Sequence, residues 1–246
     1  MPRFFYKEPI VSDSVRITGD DAHHISRSLR MAVGEQITVC DSLGVECLCE
    51  LERIRDDEVT ARVLSQKPSD REPPRRLVLY QSLAKGEKMD YIVQKAVETG
   101  VCRIVPVLSS RCIAKLEERN ASAKLARWKK IAAEAAKQCG RGAVPEIGEP
   151  LSFDCALRQS CAESALTLFC YEGDGVRSLR EILEHDTTRP GDTVSIFIGP
   201  EGGYSEEEFS ASRAAGAVPT GLGKRILRCE TASGFALACF CYRYEL

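Results

Sequence analysis

The period of apolar and polar positions changes once along this chain, near residue 70. Before that point it is mostly two. Ser14–Thr18 and Gln36–Cys40 read as short alternating strands. Val45–Ile54 sets Val45, Cys47, Cys49 and Leu51 on one face against Glu46, Glu50 and Glu52 on the other. Val59–Leu64 adds a further strand, and Asp21–Met31, with Ile25 and Leu29 at i, i+4, reads as a helix. Several short strands with one helix predict a small β-barrel. Lys67–Arg76, with three prolines and alternating charges, disfavours any regular element and reads as a boundary. The expected division is 1–70, a linker at 71–76, and 77–246.

Beyond the boundary strands and helices alternate. Leu77–Leu83 is a strand. Glu87–Thr99 is a helix burying Met89, Ile92, Val93, Ala96 and Val97, with Gly100 at its C-terminal cap. Val101–Leu108 is again a strand. Ala121–Cys139 is a longer helix, with Leu125, Trp128, Ile131, Ala132, Ala135 and Cys139 inward and Lys124, Arg127, Lys129, Lys130 and Lys137 outward. No element is assigned to 140–165. Leu166–Tyr171, Thr193–Gly199 and Val218–Gly221 read as strands, and Ser178–Glu184 and Thr231–Tyr244 as helices. Ser205 and Glu208 form a capping box that opens a helix ending near Gly216. This order predicts an α/β fold with a mostly parallel sheet and helices on both faces.

Composition narrows the class. No apolar run approaches the roughly 18–20 residues of a membrane span, and the first residues lack the apolar core of a signal peptide, so a cytoplasmic protein is expected. The chain has 12 cysteines but no C-x-x-C, and most sit in apolar runs such as LTLFCY and ALACFCY. They read as small core hydrophobes rather than zinc ligands or disulfide partners. With only 3 histidines besides, no metal site is expected. The net charge of −2 conceals a basic middle, since residues 71–150 hold 16 Lys/Arg against 9 Asp/Glu. Such a local excess attracts polyanions.

Candidate chemistry lies in Thr193–Ala232, where a strand enters Gly199-Pro200-Glu201-Gly202-Gly203 and a second glycine turn, Gly221-Leu222-Gly223, carries Lys224, Arg225 and Arg228. Two glycine loops at strand ends make a ligand crevice. Phosphate is a poor ligand for it, because Pro200 has no N–H and Glu201 repels anions. The P-loop and dinucleotide fingerprints are also missing. A carboxylate with close glycine approach suits a cationic or hydroxyl-rich ligand. S-adenosylmethionine is both, though charge alone does not single it out.

Five segments together resemble the bacterial 16S ribosomal RNA (uracil-1498-N3)-methyltransferase family of the SPOUT superfamily: HHISRSLRM at 23–31, KGEKMDYIVQKAVETGVCRIVP at 85–106, RWKKIAAEAAKQCGR at 127–141, IGPEGGYSEEE at 198–208 and LGKRILRCETA at 222–232. The resemblance covers nearly the whole chain. Ala84 stands where the family usually has proline, and Cys229 where threonine is common. The resemblance implies a PUA-like RNA-binding barrel followed by a knotted SPOUT α/β methyltransferase domain, a rare exception to unthreaded chains. It further implies a homodimer with the closing helix at its interface, a 16S rRNA substrate in the small ribosomal subunit, and S-adenosylmethionine bound bent. The cofactor positions carried over are Cys170, Tyr171, Glu172, Ile198, Gly199, Pro200, Glu201, Leu222, Gly223, Arg225, Ile226 and Leu227.

Methylation at N3 of uracil needs loss of a proton whose pKa is well above neutral, so it requires a base or stabilisation of the uracil anion. Arg225 and Arg228 are the candidates for the anion, and Glu201 and Glu230 are the available carboxylates. Glu201 is assigned to the cofactor loop, and Glu230 reads equally as a helix cap. RNA contacts are expected from His23, His24, Arg27 and Arg30 on one face of the N-terminal unit. The stronger electrostatic candidates are Lys129, Lys130, Lys137 and Arg141. Three rivals remain: a non-catalytic RNA-binding protein, a SPOUT enzyme acting on another rRNA or tRNA nucleotide, and a small-molecule enzyme on an ordinary doubly wound sheet.

Overall fold

The computed structural model describes residues 1–41, 44–114 and 118–246. Two compact units emerge, residues 1–72 with 136–144, and residues 73–135 with 145–246.

The first unit is one five-stranded sheet: β1 (Arg3–Phe5), β2 (Ser14–Thr18), β3 (Gln36–Cys40), β4 (Val45–Ile54) and β5 (Glu58–Pro68), in the order β1-β3-β4-β5-β2. Its core is the inward face of those strands, with Phe4, Val15, Ile37, Cys47, Cys49, Leu51 and Val59 buried. β1 went unrecognised because it has three residues and pairs, in parallel, only with β3. β1 and β2 lie at the two ends of the hydrogen-bonded strand order, so among the described residues the expected small barrel is a half-barrel sheet. A cleft of about 360 Å³ is lined by Phe4–Glu8 and Arg16–Thr18. The expected helix 21–31 is shorter: α1 (Asp20–His23) passes into a π-helical turn, His24–Ser28. Arg30 then takes a left-handed conformation, φ 53°, which ends the helix.

Glu46 shows what alternation could not. It is buried because Arg3 donates to its Oε1 at 2.8 Å and Ser69 Oγ at 3.0 Å. A charge buried on the face of a strand opposite the core survives only with such partners.

The second unit carries a sheet whose strands are all parallel. They are β6 (Arg76–Ser82), β7 (Arg103–Leu108), β8 (Glu146–Ile147), β9 (Leu151–Ser152), β10 (Leu166–Cys170), β11 (Arg177–Ser178), β12 (Thr193–Ile198) and β13 (Val218–Gly221). The order is β11-β13-β10-β12-β6-β7-β8, with β9 also on β7. The central strands are buried on both faces, as parallel strands covered by helices must be. Aromatic rings fill one side, where Tyr80 stacks on Phe197 at 4.6 Å and Phe169 packs on Tyr204 at 4.3 Å. The helices are α2 (Lys88–Glu98), α3 (Glu118–Cys139), α4 (Phe153–Glu163), α5 (Leu179–Glu184), α6 (Glu206–Ala214) and α7 (Cys229–Tyr244). The last residues of α3, from Ala136, belong to the first unit. Cys139, assigned to the inner face of α3, is exposed there.

Sequence reading missed α4, although Ser152 caps it and Phe153, Ala156, Leu157 and Ser160 are buried at helical spacing. Two cysteines interrupt that stripe and blur the period. The capping box of α6 is present in full: Ser205 Oγ accepts from the Glu208 amide, and Glu208 Oε2 accepts from the Ser205 amide at 2.9 Å. Glu208 has a further task, since its Oε1 accepts from the Ser110 amide at 2.7 Å and so holds the loop after β7.

Candidate cofactor site

Three neighbouring strands end on the same side of the sheet and build one cavity of about 420 Å³. β10 delivers Cys170–Gly173, β12 delivers Ile198–Gly203, and β13 delivers Gly221–Arg228 up to the first turn of α7. The volume falls within the roughly 300–1,000 Å³ of small-molecule sites. All twelve carried-over cofactor positions line it, and so does Arg228. Lys224, expected on the second glycine turn, lines it as well, as do Lys88, Gly173, Val176, Cys229 and Ala232, which were not anticipated as lining residues. Lys88 gave no signal because its partners stand more than a hundred residues away in sequence.

The loop after β12 is a tight turn closed by the Gly203 amide donating to the Pro200 carbonyl at 3.0 Å. A Cβ at Gly199 would lie 3.3 Å from the backbone of Gly203 and from the Tyr204 ring, so any side chain there would make the loop shift by a few tenths of an ångström. Arg111 Nη1 donates to the Gly202 carbonyl at 3.1 Å. Tyr204, fully buried, has its hydroxyl 3.3 Å from Ser82 Oγ and anchors the loop's exit. Tyr171, on the β10 side, stacks on Phe209 at 4.4 Å.

The residues present fit S-adenosylmethionine. The walls combine apolar Ile198, Leu222, Ile226 and Leu227 with glycine backbone and carboxylates, which suits a purine, ribose hydroxyls and a sulfonium. The loop is not an anion nest, because the Gly203 amide is already used within the turn.

Charge is sorted sharply around the cavity. Glu201 Oε1 accepts from the Lys85 amide at 3.0 Å and from Lys88 Nζ at 2.9 Å. Partial burial acts to raise this carboxyl, but those hydrogen bonds win and hold it below the usual carboxylate range. Glu230, in the first turn of α7, also lies low: burial raises it, while its own backbone amide, the Cys229 thiol, Lys88 and Arg228 lower it further. Burial pushes the Cys170 thiol up to about 12, and burial with the Glu230 hydrogen bond does the same for Cys229. Carboxylates held this low are poor proton acceptors, and thiols held this high are poor nucleophiles at neutral pH. Glu201, expected at the cofactor loop and among the catalytic candidates, spends Oε1 on the Lys85 amide and the Lys88 ammonium and so holds the loop. Lys224, Arg225 and Arg228 are exposed at the cavity's rim with no ion pair among the described residues.

The expected RNA-contacting residues separate into two groups. Lys129 and Lys130 are exposed on α3 and free of ion pairs among the described residues. His23, His24, Arg27 and Arg30 are exposed, with Arg27 reaching Asp56 at 2.7 Å. Lys137 instead binds Asp21 Oδ1 at 2.7 Å, half-buried. Arg141 is a correction: its side chain is 5% exposed, and Glu72 grips it through Nε at 3.0 Å and through Nη2. Glu72 Oε1 also accepts from the Gly142 amide at 3.0 Å. A buried guanidinium spent on a carboxylate is unavailable to phosphate. Among the described residues no group of three or more His, Cys, Asp or Glu could hold a metal, and no helix is long and apolar enough to cross a membrane.

A parallel α/β sheet with a glycine-walled, anion-averse cavity at its carboxyl edge, preceded by a small β unit, defines a cofactor-binding domain of the methyltransferase type. Residues 71–240 match the RNA methyltransferase domain, and residues 17–64 match the RNA methyltransferase PUA domain. The ribosomal RNA small subunit methyltransferase E of Bacillus subtilis is 35% identical over 94% of this chain and 90% of its own length. The Synechocystis protein of that name is 31% identical over 94% of this chain and 74% of its own. Among solved structures, the ribosomal RNA small subunit methyltransferase E of Neisseria gonorrhoeae, bound to S-adenosylmethionine, superposes with TM-score 0.87 at 33% identity, covering 99% of this chain and 98% of that one. A putative methyltransferase from Legionella pneumophila in complex with the same cofactor gives TM-score 0.84 at 31% identity, covering 97% and 96%. The chain belongs to the ribosomal RNA small subunit methyltransferase E family, and the architecture implied by the resemblance, a PUA-like unit before an α/β methyltransferase domain, is the one found.

Proposed function

We propose that this protein is an S-adenosylmethionine-dependent methyltransferase that methylates N3 of a uridine in 16S rRNA, the uridine at 1498 being the expected target. One observation carries the reading: a cavity fitted to that cofactor is rimmed by three exposed cations, Lys224, Arg225 and Arg228, none of them held in an ion pair among the described residues. The cofactor, when bound, supplies an electrophilic methyl group. The chain's own residues must make N3 nucleophilic. With Glu201 and Glu230 held low and both nearby thiols held high, no carboxylate or thiol of the cavity with a shifted pKa is tuned as a base near neutral pH. Arg225 and Arg228 therefore lower the cost of the uracil anion by donating to its O2 and O4, and the proton leaves to solvent.

RNA is held by the exposed face of α3 at Lys129 and Lys130, with His23, His24, Arg27 and Arg30 on the first unit. A homodimer is the working form, supported by Phe235 and Tyr242, 44% and 76% exposed and seven residues apart on α7. An enzyme acting on small-subunit RNA works in the cytoplasm, where ribosomes are made. The test is mass mapping of 16S rRNA from a strain lacking the protein. One N3-methyluridine should vanish and return when purified protein and S-adenosylmethionine are added to the subunits; an unchanged map refutes the reading.

A further inference from the structure

Two of the three loops around the cavity are tied together by one side chain that belongs to neither. Lys88 opens α2, and its ammonium lies 2.9 Å from Glu201 Oε1 in the loop after β12 and 3.7 Å from Glu230 Oε2 in the first turn of α7. The same Glu201 oxygen accepts the Lys85 amide at 3.0 Å, so the start of α2 engages the glycine loop through two donors. Glu230 Oε2 also accepts the Cys229 thiol at 3.1 Å. The Lys88 side chain is 30% exposed and Glu201 25%, so this corner is sheltered without being dry. Without the ammonium, two carboxylates on separate loops would confront each other at the cavity's edge. Their repulsion would push the glycine loop and the turn of α7 apart. No residue of the third loop, Cys170–Gly173, takes part.

We propose that Lys88 is a positioning residue for the cofactor: acting through Glu201 and Glu230, it sets the spacing of the two loops before S-adenosylmethionine arrives. This rests on the cofactor reading above and adds to it a residue outside the glycine motifs. A cavity that is only fractionally in its competent form binds with an affinity reduced by that fraction. The charged and titratable groups facing the pair are Lys88, Arg228 and Cys229, together with the Lys85 amide.

The test is calorimetric binding of S-adenosylmethionine to the full chain from pH 4 to pH 8, for the wild type, K88Q, K88R, E201Q and K88Q/E201Q. Expected for K88Q is a Kd raised about tenfold at pH 7.5, the size of one partly exposed ionic hydrogen bond. Its acid limb of binding should also move to higher pH, because Glu201 and Glu230 lose the cation that keeps them ionised. K88R should bind within about threefold of wild type, and the double variant should be no weaker than K88Q, because both single changes break one contact. K88Q that binds as wild type does, with an unmoved acid limb, overturns the proposal, as do K88Q and E201Q effects that simply add. If K88Q fails to fold, E201Q decides: wild-type affinity there overturns the proposal, and a similar loss supports it. A wild type that binds no S-adenosylmethionine overturns the cofactor reading itself.

Discussion

Reversing Lys129 and Lys130 together, K129E/K130E, tests the RNA-contact assignment most directly, because the structure fixes how large the effect can be. Four basic residues of this stretch were candidates, but Lys137 is committed to Asp21 and Arg141 to Glu72. That leaves two exposed cations, Lys129 and Lys130. Each phosphate contact contributes about 0.7–0.9 to the slope of log affinity against log salt. Losing two should therefore flatten the slope by roughly 1.5. Arg141→Gln, in contrast, should leave the slope where it is. The assay is fluorescence anisotropy of labelled small-subunit RNA fragments from about 50 to 200 mM salt, the range over which counterion release is pronounced. S-adenosylmethionine binding serves as the control that the second unit is intact. An unchanged slope in K129E/K130E would remove this face from the footprint. A slope flattened equally by Arg141→Gln would refute the division into free and committed cations.

Other consequences follow from the same contacts. Glu72→Ala leaves Arg141 buried without its carboxylate and frees two amides it holds, so urea denaturation should show a loss of about 2–4 kcal/mol, somewhat below the full cost of breaking a wholly buried pair because Glu72 is 30% exposed. Gly199→Ala forces a Cβ against the backbone of Gly203, and S-adenosylmethionine affinity should fall at least tenfold while the melting temperature moves by only a few degrees. Glu201 and Glu230 both have lowered folded pKa values, so their contribution is fully present above the ordinary carboxylate range and is lost as pH falls through the folded values. Calorimetry should therefore find cofactor affinity flat from pH 8 down to about 5, and a drop between pH 7 and 6 would contradict the assignment. Brief alkylation near pH 7.5 should label exposed Cys155, whose thiol is lowered by hydrogen bonds from Ser152 and Arg158, well before Cys170 or Cys229, as read by peptide mass mapping.

Much of this protein was legible in one dimension. Periodicity gave β2, β3, β4 and β13 to the residue and the α6 capping box, because each depends on neighbours within four positions. The argument that Pro200 and Glu201 exclude phosphate needed only the chemistry of two side chains, and the motifs at 198–208 and 222–232 carried the family. Tertiary structure decided what depends on distant partners. β1, β8, β9 and β11 are two or three residues long and exist because another strand pairs with them. Arg141 looked like one more cation on a basic helix end until Glu72, 69 residues earlier, was found to bury it. Glu201 stood among the available carboxylates, but that Lys88, 113 residues away, holds it was visible only in the structure. A charge's role is fixed by what lies within a few ångströms of it, since Coulomb interactions and desolvation act over that range, and sequence separation carries no record of such distances.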